Sequence, residues 1–364
     1  MRTIDIPLGD RSYPVRIGEG LLADPAAWAP HVGQAPILIV TNETVAPLYL
    51  PAVLGALKGH DVDTFTMADG EAEKNWDNWR ALIGRLADRH APRDTTLVAL
   101  GGGVVGDLCG FAAATWMRGI RFIQAPTTLL AQVDASVGGK TAINIPQGKN
   151  LVGAFHQPAA VIADTATLRT LPPREYRAGL AEVLKYGAIC DAGFIDWIEA
   201  NIDALRAMEP DALAEIVERS VRYKAEVVGA DEREQGVRAI LNFGHTFGHA
   251  LETHTGYQRY LHGEAVAIGM VVAATLSESR GLLAPGLARR LADIQSALGL
   301  PVTVPADIDA PDLLQHMKLD KKNLAGRRRL VLLSAPGKAI VDEDSADADI
   351  LAALNACRAE DPAA

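Results

Sequence analysis

Two cations set beside glycines, and two imidazoles four residues apart, are the features of this chain best suited to chemistry. Residues 127–157, TTLLAQVDASVGGKTAINIPQGKNLVGAFHQ, are too polar for a core helix and too apolar for a linker. Within them Lys140 follows Gly138 and Gly139, and Lys149 follows Gly148. Glycine lets backbone approach a ligand closely, so an ammonium group beside such a turn suits a polyanionic small molecule. The same pattern also suits a surface loop with solvated lysines. In LNFGHTFGHALE at 241–252, His245 and His249 fall on one helical face. Both could ligate a metal, or one could ligate while the other transfers a proton.

The elements that must position these groups alternate at first between apolar strands and helices. A hairpin over Met1–Gly18 precedes strands at 37–41, 62–67, 95–101, 121–126 and 160–164, with a helix over 73–90. Thr41, Asn42 and Glu43 can cap a helix after the first of these strands. Alternation of this kind predicts a mostly parallel sheet. After TTLVALG, the run Gly101, Gly102, Gly103, Gly106 and Asp107 offers backbone amides and a helix start to a pyrophosphate. It is looser than the strict dinucleotide fingerprint and also reads as a bare glycine turn. DGEAEK at 69–74 could direct Asp69 and Glu71 to ribose hydroxyls and Lys74 to phosphates or the adenine edge, or could be a polar turn before a capped helix. From Leu171 onward the texture is helical, over about 175–190, 192–207, 209–231, 238–255, 262–281 and 286–298, with a late strand pair in 329–341.

Composition sets limits on function. A length of 364 residues predicts two domains, 1–170 and 171–364, with the cleft between them the default place for a ligand. The net charge of -10 argues against non-specific nucleic-acid binding, so any anion site must be a local basic cluster. Cys109, Cys190 and Cys357 are odd in number and lack metal-type spacing, which points to a reducing cytoplasm rather than a disulfide framework. No basic, apolar leader opens the sequence, and no apolar run is long enough to span a bilayer.

The pattern resembles the 3-dehydroquinate synthase family. The resemblance runs from VTNETVAPLYL at 40–50 through DGEAEK, GGGVVGDLCGFAAATWMRG at 101–119 and AEVLKYG at 181–187 to LNFGHTFGHALE, HGEAVAIGM at 262–270 and DKKN at 320–323. It implies an α/β, Rossmann-like nucleotide-binding domain followed by a mainly α-helical metal-binding domain. It further implies NAD contacts from Asp69, Gly70, Glu71, Ala72, Glu73 and Lys74, from Gly103, Val104, Val105, Gly106 and Asp107, and from Thr127, Thr128, Lys140 and Lys149. Thr167, Leu168, Arg169 and Thr170 complete that set, with Asn42 and Glu43 as further adenosine contacts. Glu182, His245 and His262, from three separate helices, would hold one divalent metal, zinc or cobalt, and leave positions open for substrate hydroxyls. On this reading His249 is the acid/base neighbour of the substrate, and nothing promotes His254.

The resemblance also gathers Lys140, Lys149, Lys185, Lys224, Arg238 and Lys322 around a carboxylate and a phosphate, among Asp134, Asn150, Asn242 and Glu234. Arg118 would reach the phosphate from a neighbouring subunit of a homodimer. The implied activity is a cytoplasmic lyase converting 3-deoxy-D-arabino-heptulosonate 7-phosphate into 3-dehydroquinate and phosphate. Its steps are oxidation by NAD+, phosphate elimination, reduction, ring opening and aldol closure. A polyol or alcohol dehydrogenase with the same architecture would release NADH and would not need the cation cluster. A related sugar-phosphate cyclase would alter DASVGGKTAIN or the lysine-bearing loop, and a silent NAD-binding sensor would not need to retain both the metal set and the cation cluster.

Overall fold

The computed structural model describes residues 1–319 and 329–360. They fall into two compact units, Met1–Pro172 with Pro210–Arg233, and Pro173–Glu209 with Glu234–Ala364.

The first unit is built on a seven-stranded sheet. Its strands are β1 (Arg2–Ile6), β2 (Tyr13–Gly18), β3 (Ile37–Asn42), β4 (Val62–Met67), β5 (Thr96–Gly101), β6 (Arg121–Pro126) and β9 (Ala160–Asp164), with a separate hairpin of β7 (Lys140–Ile145) and β8 (Gly148–Phe155). The spatial order is β1-β2-β9-β6-β5-β3-β4. Only the β1–β2 pair is antiparallel; each other neighbouring pair runs parallel. Buried residues alternate between the two faces: Leu38, Val40, Leu97 and Ala99 pack into one core, while Ile37, Ile39, Val98 and Leu100 pack into the other. Both faces are therefore covered, as parallel strands require. From β3 the chain goes to β4 on one side and then to β5 on the other, so the strand order switches direction between β3 and β5. Ligands of open α/β sheets sit beyond the carboxyl ends of the strands at such a point.

Each strand expected from the apolar runs is present, and the opening hairpin pairs Arg2 with Ile17 through Ile6 with Tyr13. The β7–β8 hairpin is not among the strands expected from the sequence. Its Gly, Lys and Asn content hides a strand signal that rests on Ala142, Ile143 and Val152. The helix Pro210–Ala230 belongs with the sheet unit although it lies well beyond the last strand of that sheet. Arg2 binds Glu215 at 2.9 Å and Glu218 at 2.5 Å, and Gly229 comes so near Pro7 that a Cβ there would stand 3.1 Å from Pro7 Cγ.

In the second unit, helix His262–Ser279 is buried along nearly its whole length, and helices Pro173–Cys190, His245–His254, Leu287–Ala297 and Asp347–Ala356 pack around it. Strands β10 (Leu330–Ala335) and β11 (Lys338–Asp342) form the late antiparallel pair. The expected helix over 238–255 is two elements, a 3-10 turn Val237–Asn242 and the helix His245–His254. Gly244 separates them with φ +80°, a conformation that ends one element and starts the next. The stretch 192–207 likewise breaks at Asn201 into Ala192–Ala200 and Ile202–Arg206.

Gly84 offers a test of the first unit's local energetics. It lies inside helix Trp76–Asp88, and a Cβ there would meet nothing within 4 Å. Gly84→Ala should stabilise the protein by about 0.5–1 kcal/mol. A rise in the urea midpoint at constant slope would show it; an unchanged or lower midpoint would contradict it.

Candidate active site

In the first unit the residues expected to meet a nucleotide collect after the carboxyl ends of the parallel strands. Asn42 ends β3, and its Nδ2 donates to Asp69 Oδ1 at 2.6 Å just beyond β4. Thr44 donates to the other Asp69 oxygen at 2.9 Å. Lys74, 4% exposed, reaches Asp107 Oδ2 at 2.6 Å, tying the DGEAEK turn to the glycine turn after β5. Burial pushes the Asp107 carboxyl above its ordinary range, and the nearby Lys74 ammonium only partly offsets it.

Helix Gly103–Thr115 starts with Gly102 as its cap and no side-chain cap hydrogen bond, the kind of helix start whose first amides suit an anion. A Cβ at Gly106 would lie 2.6 Å from Gln124 Oε1, so that side chain would have to shift to admit one. Val105 and Leu168 are fully buried, so neither side chain is presented to a cofactor. Thr167 and Thr170 follow β9 and are held by Tyr49, whose hydroxyl donates to the Thr167 carbonyl oxygen at 3.1 Å and also contacts Thr170 Oγ1. Thr127 and Thr128 follow β6, where Thr128 Oγ1 accepts from the Ala131 amide at 3.2 Å. Arg169 is ion-paired with Glu19, and Glu73 accepts from Asn78 at 2.7 Å. Asn144 was not foreseen: it donates to Glu71 Oε1 at 2.7 Å, and its amide binds the Lys74 carbonyl oxygen at 2.7 Å.

Of the expected anion-binding residues in this unit, Lys224 and Asp134 are brought together, with Nζ 2.8 Å from Oδ1 and 2.7 Å from the Asp134 carbonyl oxygen. Lys140 and Lys149 are not a local pair. Lys140 opens β7 opposite Phe155, whereas Lys149 lies beside the turn at the other end of the hairpin, roughly 13 Å along the strand. Asn150 follows at φ +55°, its amide bound to Asn144 Oδ1 at 3.0 Å. Arg118 is exposed, in a turn where Met117, Arg118 and Gly119 all have positive φ.

The second unit holds the candidate metal centre. Glu182 and Lys185 lie one turn apart on helix Pro173–Cys190, both with side chains 1% exposed and in ion-pair contact. His245 Nε2 stands 3.5 Å and His262 Nε2 3.8 Å from Glu182 Oε1. One donor atom from each of the three lies within 4.8 Å of the others, the compact set a single divalent ion requires. Among the described residues neither Glu182 oxygen accepts a hydrogen bond; Lys185 touches Oε2 without hydrogen-bond geometry. A buried carboxylate left in this way fits a metal, which would bind the lone pairs that no N–H group takes.

His262 is pulled down by burial but pushed further up by the Glu252 hydrogen bond and the charges of Glu252 and Glu182, so its pKa lies above the ordinary value. His249 sits beside the set, its ring centroid 5.6 Å from that of His245 and 5.9 Å from that of His262. His254 packs edge-on to His316. Arg238 is 1% exposed in the turn Val237–Asn242, and Asn242 donates to Glu234 Oε1 at 2.7 Å. Lys322 lies outside the described residues. Glu252 was missed by sequence reading, although its place three residues after His249 sets it on the same helical stripe.

Family models described as 3-dehydroquinate synthase N-terminal and C-terminal match residues 64–178 and 179–323. A 3-dehydroquinate synthase of Pseudomonas aeruginosa is 55% identical over 344 residues, 94% of this chain and 94% of that protein. The chain belongs to the 3-dehydroquinate synthase family. Among solved structures, 2-epi-5-epi-valiolone synthase from Streptomyces hygroscopicus subsp. jinggangensis 5008, with NAD+ and Zn2+ bound, matches with a TM-score of 0.88 and 30% identity, covering 96% of this chain and 98% of that one. A 2-deoxy-scyllo-inosose synthase complexed with carbaglucose-6-phosphate, NAD+ and Co2+ matches with a TM-score of 0.86 and 28% identity, covering 94% and 95%. The α/β sheet unit and helical unit are therefore the architecture of this family. No helix among the described residues is long and apolar enough to cross a membrane.

Proposed function

We propose that this family member is a phosphate-eliminating carbon–oxygen lyase, converting 3-deoxy-D-arabino-heptulosonate 7-phosphate into 3-dehydroquinate and phosphate. The observation that carries the reading is the donor set of Glu182, His245 and His262 within a chain 55% identical to a 3-dehydroquinate synthase over 94% of its length. When bound, the metal supplies Lewis-acid polarisation of substrate hydroxyls, and NAD supplies a hydride acceptor that is restored in each turnover.

The remaining roles belong to the chain. Asp69, Lys74 and the amides opening helix Gly103–Thr115 bind NAD, with Asp107 holding Lys74 in place. Glu182, His245 and His262 hold the metal, and Lys185 balances the buried Glu182 charge. His249 moves a proton at its imidazole, on the helical face that also carries His245. Lys140, Lys149, Asn150, Asp134, Lys224, Glu234, Arg238, Asn242 and Lys322 bind the polar and anionic groups of the substrate. Preorganised charges of this kind are the largest usual source of rate enhancement. The enzyme works in the cytoplasm.

The test is phosphate release from the heptulosonate phosphate with NAD present in trace amount, with the product identified. Phosphate should accumulate without sustained NADH absorbance. NADH formed in step with product would favour a dehydrogenase, and turnover only of another sugar phosphate would favour a different cyclase.

The reading extends to a homodimer in which Arg118 serves the partner's substrate phosphate. Its exposure and its strained turn support this, because positive φ at two successive non-glycine residues is retained where a side chain must be aimed. Arg118→Ala and His245→Ala would then damage opposite halves of one composite site. Heterodimers of the two inactive variants should regain about half of wild-type activity, since one site in each carries neither defect. Verified heterodimers that stay inactive would overturn the shared arrangement.

A further inference from the structure

The helix His245–His254 carries a third polar side chain on the face that presents His245 and His249. Glu252 is 5% exposed, and its Oε2 lies 3.4 Å from His262 Nδ1. The opposite nitrogen of the same ring, Nε2, is the one turned to Glu182 Oε1 at 3.8 Å. His245 is arranged in parallel: its Nδ1 lies 3.2 Å from the Phe243 carbonyl oxygen and its Nε2 3.5 Å from Glu182 Oε1. Carbonyl and carboxylate oxygens only accept, so each pairing puts the ring proton on Nδ1 and leaves the lone pair on Nε2.

We propose that Glu252 is a positioning residue that fixes His262 in the Nδ1-protonated tautomer and aims Nε2 at the metal. The inference rests on the metal reading above. The helix register makes the device possible. His245 is the first residue of its helix, and Glu252 follows seven residues later on the same stripe, level with His262, which opens the next helix. One helix thus supplies a ligand and, from two turns further on, the carboxylate that orients a ligand of its neighbour. Main chain does the corresponding work for His245, where no carboxylate is needed.

A competing role exists for the same residue. His249, Glu252 and His262 also offer three donor atoms within 4.8 Å of one another. The geometry favours positioning, because the His262 nitrogen nearest Glu252 is Nδ1, and a nitrogen that donates to a carboxylate has no lone pair for a metal.

The experiment uses the full chain with Zn2+ and Co2+ as probes. Zn2+ dissociation constants are measured by competition with a chelating dye for wild type, Glu252→Ala, Glu252→Gln and His245→Ala, together with the visible absorption of the Co2+-loaded proteins. Glu252→Ala should weaken Zn2+ binding about 10–100-fold. Glu252→Gln, whose amide oxygen still accepts a hydrogen bond from Nδ1–H but carries no charge, should weaken it less. Both should shift the Co2+ bands while far-ultraviolet circular dichroism stays that of wild type, a combination that a purely structural role would not give. If Glu252→Ala does not fold, the isosteric Gln variant decides. Zn2+ affinity within about twofold of wild type in the folded variants overturns the proposal, being well below the loss expected of an orienting partner. So does binding of two Zn2+ per wild-type chain that falls to one in Glu252→Gln, which would make Glu252 a ligand. His245→Ala separates the two levels. If it keeps wild-type Zn2+ affinity, the metal reading itself fails; if it loses Zn2+ while the Glu252 variants retain it, only the positioning role fails.

Discussion

Glu182→Ala should lose its bound metal on dialysis and at least about 10³-fold in kcat, since a Lewis acid supplies several kcal/mol and each 1.4 kcal/mol is a factor of ten. It should also unfold more easily, an effect that sequence alone did not foretell. The Glu182 and Lys185 side chains are each 1% exposed and in contact, so the substitution takes the adjacent countercharge from a buried ammonium group. Breaking a buried pair from one side costs about 3–5 kcal/mol, whereas replacing both members by apolar groups is often neutral. Glu182→Gln combined with Lys185→Met should therefore recover much of the stability lost in Glu182→Ala and none of the metal or activity. His262→Ala, at a side chain 34% exposed, should lose metal and activity to a similar extent with a smaller loss of stability. Metal content after dialysis and urea midpoints decide the matter. Full metal occupancy in Glu182→Ala would remove it from the ligand set, and a double variant no more stable than the single one would refute the charge argument.

The stability contrast shows where sequence reading ended. The parallel strands were legible because β3 and β5 are buried at every position and therefore read as unbroken apolar runs. The β7–β8 hairpin was not, because its strand residues are interspersed with Gly, Lys and Asn. Periodicity predicts a helix over 209–231 within the expected second domain, whereas its contacts are with Arg2 and Pro7, some two hundred residues earlier. Among site residues, the proposed metal set rests on its family strings rather than on its spacing. Glu252 carried only a helical offset from His249, which many surface glutamates share. The pairing of Lys74 with Asp107 joins two turns that both looked like nucleotide contacts, so each was expected to meet the cofactor and neither was expected to hold the other.

Gly263→Ala should be the most damaging single-methyl change near the site. A Cβ at Gly263 would stand 1.9 Å from the Ala178 carbonyl oxygen and 2.6 Å from its carbon, and these are backbone atoms that cannot rotate aside. Relief requires helices Pro173–Cys190 and His262–Ser279 to part by roughly 1.5 Å to reach ordinary van der Waals separation. That movement falls on the proposed metal set, because Glu182 lies one turn after Ala178 on one helix and His262 is next to Gly263 on the other. Overpacking of this kind costs about 1–3 kcal/mol in stability. The displaced ligands should reduce turnover by about 10²-fold even with excess metal, the usual consequence of a misplacement near 1 Å. Gly248→Ala provides the graded comparison, since its Cβ would meet the Ala265 backbone at 3.1 Å, a contact that a few tenths of an ångström can relieve. Metal dissociation constants and thermal midpoints should rank wild type, Gly248→Ala and Gly263→Ala in order of increasing damage. If Gly263→Ala binds Zn2+ as tightly as wild type, close backbone contact between these two helices does not set the size of the ligand triangle.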